Sequence, residues 1–229
     1  LPKELQKAEI LTPHPDKGKS HKISKDIKTL FPHTCDLPYI RFSPGKPSPA
    51  GPLKVGVMLS GGPAPGGHNV IQGLLDSLKK FHQNSQLIGF LNDGEGLTNN
   101  NAINITKEFL YKFRNSGGFN CLGTGRKNIV SQEGKESCLK TIRAQDLDGL
   151  VIIGGDGSNT ATAILAEYLA KEHPKTSVVG VPKTIDGDLQ HDLLDLTFGF
   201  DTATKFYSSI ISNISRDALS CKAHYHFIK

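Results

Sequence analysis

The chain has 229 residues, 37% of them hydrophobic and 21% charged, with a formal net charge of +5. That balance fits one or two globular domains with a real core, not a disordered chain, and no apolar run reaches the ~20 residues of a membrane span. The four cysteines, Cys35, Cys121, Cys138 and Cys221, form no C-x-x-C pair, which argues against zinc or a redox dithiol and for free thiols in a reducing cytoplasm.

Residues 1–52 lack sustained periodicity and are rich in Pro, Lys and Ser, so they read as an N-terminal extension or linker arm. The start, Leu1-Pro2-Lys3-Glu4-Leu5, has no signal-peptide character. Much of the positive excess lies here, as in Lys17-Gly18-Lys19-Ser20-His21-Lys22. No reading helix or aromatic platform follows, so the expectation is a solvated arm and no nucleic-acid partner. A mildly basic protein also suits a small anionic substrate.

From residue 53 the pattern changes. Residues 53–59 form a short apolar run ending in Ser60-Gly61-Gly62, which reads as a buried strand entering a turn. Val70, Ile71, Leu74, Leu75 and Leu78 then make an apolar helical stripe. Residues 87–91 read as a second strand ending at Asn92-Asp93-Gly94. Phe109, Leu110 and Phe113 suggest a helix stopping at Gly117-Gly118, and a further helix is expected after Ser131. The clearest strand is Leu150-Val151-Ile152-Ile153, with helix signals over 159–171 after it. A strand over 177–181, a helix over 202–213 and a last strand over 225–228 complete the expectation. Strands alternating with helices imply a Rossmann-like three-layer αβα domain with a mostly parallel sheet, over residues 53–229. A strand opening so near Lys229 suggests that the rest of the molecule lies beyond it.

Ligands in open α/β sheets sit beyond the carboxyl ends of the strands. Three Gly-rich polar segments fall there, at 60–67, 154–158 and 183–188, and Gly123-Thr124-Gly125-Arg126 is a fourth. Gly61-Gly62 and Gly66-Gly67 let backbone approach an anion before a helix N-terminus, although a tight strand–helix turn explains them equally well. The segment is neither a Walker A loop nor a dinucleotide fingerprint. In Gly154-Gly155-Asp156-Gly157-Ser158, Asp156 either faces a phosphate through Mg²⁺ or caps the next helix. In Thr184-Ile185-Asp186-Gly187-Asp188, two carboxylates two residues apart in extended backbone point the same way. One then serves as a base while the other orients the nucleophile or supports a metal, with Lys183 beside them. A turn with two solvated aspartates is the plainer alternative. Arg126 has the fork geometry of a phosphate clamp but, taken alone, is also an ordinary surface arginine. His224 and His226 alternate along the expected last strand and read as structural, as does His68.

Gly61-Gly62-Pro63-Ala64-Pro65-Gly66, Gly123-Thr124-Gly125-Arg126, Gly154-Gly155-Asp156-Gly157-Ser158, the 182–188 segment and Gly199-Phe200-Asp201-Thr202-Ala203 together resemble the phosphofructokinase family in order and spacing. NAD kinases and diacylglycerol-type lipid kinases share a similar Gly-Gly-Asp-Gly run but not the 182–188 segment. The resemblance implies Asp186 as the base for the sugar 1-hydroxyl of fructose 6-phosphate, with Thr184 and Asp188 as its partners. It implies Asp156 as the Mg²⁺ carboxylate, Gly61 and Gly62 at the transferring phosphate, and Arg126 as the clamp on it. Gly157, Ser158 and Lys183 lie at the donor.

Two positions disagree about that donor. The pyrophosphate-dependent branch usually has Asp where Gly157 stands, so Gly157 is ATP-like. Lys183 is pyrophosphate-like, where ATP enzymes usually have Gly. Pro63, the Ser158-Asn159-Thr160 continuation and the basic arm resemble the long pyrophosphate-type subgroup. The expectation is therefore pyrophosphate, with ATP as the alternative. Family members are commonly dimers or tetramers. Their sugar-phosphate site is completed by a downstream Met-Gly-Arg segment absent before Lys229, so this chain alone is expected to be inactive. A non-catalytic subunit is the third alternative, but such subunits tend to lose the aspartates that are present here.

Overall fold

The computed structural model describes residues 11–16, 23–44, 51–189, 194–220 and 223–228. The basic run at 17–22, Cys221 and the Pro-rich stretch from Gly45 lie outside them. The chain begins with β1 (Leu11–Asp16), α1 (Lys25–Leu30) and β2 (Tyr39–Pro44). Strands β1 and β2 pair antiparallel as a separate two-stranded ribbon.

The main sheet follows: β3 (Lys54–Leu59), α2 (Gly67–Phe81), β4 (Gln86–Phe90), α3 (Gly94–Asn99), β5 (Ala102–Asn104), α4 (Lys107–Tyr111), α5 (Gln132–Gln145), β6 (Gly149–Gly154), α6 (Asp156–Glu172) and β7 (Ser177–Pro182). Helix α7 (Phe200–Ala218) ends the regular structure. The five strands lie in the order β5-β4-β3-β6-β7, and all neighbours are parallel except β4 and β5.

The strand alternation divides the core in two. Val57, Leu59, Leu87, Val151 and Ile153 face Ile71, Leu75 and Leu78 of α2 and Leu110 of α4. Met58, Ile88, Phe90, Leu150 and Ile152 face Leu97 of α3, Cys138 and Ile142 of α5, and Leu165 and Leu169 of α6. Successive side chains of a strand point to opposite faces, so one apolar run serves both layers. This is the expected αβα sandwich. Strand β7 is an edge, and Val179 on it is 51% exposed, so burial is less complete there than a sheet covered on both faces implies.

Four features depart from the sequence reading. The stretch read as an aperiodic arm holds β1, α1 and β2, the two strands pairing as a ribbon. The short α3 and β5 were not anticipated. The expected strand over 225–228 is absent: residues 224–228 have no regular structure and are exposed, so His224 and His226 share no strand face. Gly187 has φ +69°, so Asp186 and Asp188 flank a turn and do not sit on extended backbone.

Candidate active site

The loops after β3, β6 and β7 and the loop at 123–127 surround a cleft of about 370 Å³ at the carboxyl end of the sheet. Its lining includes Gly61, Gly62, Arg126, Gly157, Ser158 and Lys183, all anticipated from the sequence. Four loops distant in sequence are tied together by hydrogen bonds. The Ser60 N–H continues the β3–β6 ladder to the Ile153 carbonyl at 2.8 Å, and the Lys183 N–H reaches the Gly154 carbonyl at 2.8 Å. The Ser158 hydroxyl donates to Ser60 Oγ at 2.9 Å. The Thr124 hydroxyl donates to the Gly61 carbonyl at 2.7 Å, and the Gly61 N–H to the Gly125 carbonyl at 3.0 Å.

Two glycines are required by this crowding. Gly61 has φ +77°, a region that L side chains rarely adopt. A Cβ on Gly154 would lie 2.4 Å from Ser158 Cβ and 2.9 Å from the Ser60 carbonyl oxygen. Because the Gly61 amide already serves Gly125, it is not free for a phosphate. Among the described residues the Gly62 amide has no partner, and it is the better-placed donor.

Lys183 is the central cation. Its residue is 8% exposed, and Nζ lies 3.9 Å from where a Gly62 Cβ would stand and 3.7 Å from the corresponding point at Gly155. The ammonium therefore sits between the two glycine turns. Burial lowers its pKa from the ordinary lysine value; the Asp186 and Asp188 carboxylates push it back up and Arg126 adds to the lowering. Among the described residues its ammonium makes no hydrogen bond or ion pair, although it lies 5.9 Å from the Phe119 ring centre. An anion in the cleft is the partner this arrangement lacks.

The remaining anticipated residues lie around the cleft and not in its lining. Asp156 is exposed in the first turn of α6, between the cleft-lining Gly155 and Gly157. The N-cap is Gly155, so Asp156 does not cap the helix. Its carboxylate makes no hydrogen bond or ion pair among the described residues. Asp186 and Asp188 are exposed, and both act electrostatically on Lys183. Thr184 is buried and shapes their turn: its Oγ1 accepts from the Asp186 N–H at 3.0 Å, and its carbonyl accepts from Thr197 Oγ1 at 2.6 Å.

His68 is structural, as read. Its Nδ1–H donates to the Ser116 carbonyl at 2.5 Å, and Nε2 accepts from the Cys121 N–H at 3.3 Å. The sequence reading passed over Asp93 and Lys127, which also line the cleft. The only hint was a carboxylate at the end of the strand read over 87–91. Among the described residues no three His, Cys, Asp or Glu side chains gather as an all-protein metal site, and no helix is long and apolar enough to cross a membrane.

Residues 54–228 match the family model described as phosphofructokinase. The chain belongs to the phosphofructokinase family. It is 47% identical, over 90% of its length, to the pyrophosphate--fructose 6-phosphate 1-phosphotransferase of Porphyromonas gingivalis. It is 43% identical over its whole length to the protein of that name from Entamoeba histolytica, and 43% identical over 90% of its length to the Arabidopsis thaliana subunit beta 2. The chain spans 38%, 42% and 37% of those three relatives. Among solved structures, phosphofructokinase from Saccharomyces cerevisiae superposes with TM-score 0.62 at 25% identity, covering 73% of this chain and 24% of that one. A pyrophosphate-dependent phosphofructokinase from Marinobacter aquaeolei shares the fold at TM-score 0.64 and 19% identity, covering 73% of this chain and 42% of that one.

Proposed function

We propose that this chain supplies the donor loops and the general base of an enzyme that transfers a phosphoryl group from pyrophosphate to the 1-hydroxyl of fructose 6-phosphate. The product is fructose 1,6-bisphosphate, in a reversible glycolytic step. The observation that carries the reading is Lys183, a buried cation without a partner among the described residues, between two glycine turns and beside Arg126. Pyrophosphate is small and densely charged, and a lysine here meets it at the transferred group. The relatives named above support the same donor.

In this reading Asp186 takes the proton of the attacking hydroxyl, and Asp188 orients it. The Gly62 amide, Arg126 and Lys183 hold the transferring phosphoryl oxygens, where developing charge is stabilised without reorganisation. Mg²⁺ fits the residues present: it takes one or two carboxylates together with substrate phosphates and water, and the Asp156 carboxylate is uncommitted. When bound, the ion neutralises charge on the phosphates. Buried Cys121 and Cys138, both free thiols, suit a reducing cytoplasm. A dimer or tetramer belongs to the same reading, and the exposed Phe206, Tyr207, Ile210 and Ile211 of α7 support burial of that face against further polypeptide.

One observation favours ATP as a second reading. Nothing lies within 4 Å of a Cβ built on Gly157, so no side chain fills the space where a larger donor would extend. Lys183→Ala in the full-length protein tests the first reading. Pyrophosphate-dependent turnover should fall about 10²–10³-fold, the cost of removing one preorganised charge-stabilising group. Unchanged turnover with pyrophosphate would overturn the role of Lys183.

A further inference from the structure

We propose that Asp93 is a positioning residue of the donor cleft, acting through Arg126. This rests on the donor-site reading of that cleft. Asp93 follows β4, at φ +66°, and is 1% exposed. A carboxylate buried this deeply is costly unless its oxygens are satisfied. One oxygen, Oδ2, accepts from the Lys127 N–H at 2.9 Å. This bond fixes the backbone immediately after Arg126. The other, Oδ1, is buried and has no hydrogen-bond partner among the described residues.

The loop carrying Arg126 lies directly over this carboxylate. A Cβ built on Gly125 would be 3.3 Å from Asp93 Cβ and 3.7 Å from Oδ2. The loop is also latched to the first glycine turn through Gly61 and Thr124. Arg126 itself is exposed and makes no hydrogen bond or ion pair among the described residues. An exposed, unanchored guanidinium makes a poor clamp, because each binding event must then order its side chain. Its five donors exceed what one phosphoryl group takes. A bound anion draws Arg126 inward over the cleft that Asp93 also lines, and Oδ1 accepts one of the remaining guanidinium donors. The lone oxygen thus holds the clamp in its working orientation without touching the substrate.

A double-mutant cycle on the full-length protein tests this: Asp93→Asn, Arg126→Ala and both together. Turnover number, donor KM and Tm are measured for each, with fructose 6-phosphate saturating. Asparagine keeps an acceptor for the Lys127 N–H and replaces the lone oxygen with an NH₂ that repels the guanidinium. Asp93→Asn is expected to lower kcat/KM for the donor about tenfold at nearly unchanged Tm. In the Arg126→Ala background the same change should cost less than about twofold. Equal losses in both backgrounds, or a loss that follows Tm, would overturn the proposal. Should Asp93→Asn fail to fold, Asp93→Ser takes its place in the cycle. The cycle is read with whichever donor the wild-type protein uses, so preference for ATP sinks the pyrophosphate reading and leaves this one testable. If neither donor is turned over, the cycle is read as inorganic pyrophosphate binding by calorimetry, with the same two outcomes.

Discussion

Helices α2 and α7 carry the same kind of amphipathic signal and meet opposite fates. The stripe of α2 is buried: Ile71 and Leu75 are fully enclosed against β3, β6 and α4. The stripe of α7 is open: Phe206, Tyr207, Ile210 and Ile211 are 36–61% exposed, and only Ala203 is buried. Periodicity says that a helix has an apolar face and not what covers it. The cleft lies at the carboxyl end of the sheet, and the loops beside it run on into both helices. The loop after β3 enters α2, and the 183–199 segment enters α7, with Lys183 bridged to Phe198 on the way. One wall of the cleft is therefore carried by a finished core. The other leads to an apolar surface that the described residues leave largely exposed.

The sharpest test of that division is at the proposed base. Asp186 is exposed, on the side leading to α7. In the full-length protein, Asp186→Asn should cut turnover about 10²–10⁴-fold with Tm nearly unchanged. A comparable loss of Tm would show that the turn supports the core and not the chemistry. Next in size is Leu75→Ala on α2. Truncating a fully buried leucine should cost about 2–5 kcal/mol, measured by urea unfolding of this chain. Ile211→Ala on α7 should cost within about 0.5 kcal/mol in the same experiment. If the two substitutions cost alike, the contrast between the helices fails.

A smaller effect concerns Lys183. Its pKa is lowered by burial and pushed back up by Asp186 and Asp188. Asp188→Asn removes one raising influence, so the ammonium should lose its proton at lower pH. The alkaline limb of the pyrophosphate KM profile should then move to lower pH. A limb that stays in place would detach Lys183 from donor binding. The smallest effect is chemical. Cys121 packs in the same cluster as Leu75, and burial pushes its thiol up to about 11. It should resist iodoacetamide in the native chain and react faster in Leu75→Ala.

Most of the sheet was legible because β3, β4 and β6 are apolar runs that end in glycine or Asx turns, and such runs say strand whatever surrounds them. Ser131 was legible as a helix start because its hydroxyl caps the Gly134 N–H. What escaped depended on partners. Strand β5 is three residues long and exists because β4 offers it an edge. The 225–228 segment alternates well but pairs with nothing among the described residues. At the site, glycines and clustered charges pointed to the loops, and the cleft gathers six of the anticipated residues. Asp93 escaped because an Asn-Asp-Gly string reads as a turn, whereas its burial is set by the 123–127 loop folding over it.

The central claim is that Lys183 outweighs Gly157 in setting the donor. The direct measurement is fructose 6-phosphate phosphorylation by the full-length protein with Mg²⁺, comparing pyrophosphate with ATP at equal concentration. Turnover with pyrophosphate and little with ATP is the predicted result. Turnover with ATP and none with pyrophosphate would contradict it and give the open space at Gly157 the deciding role.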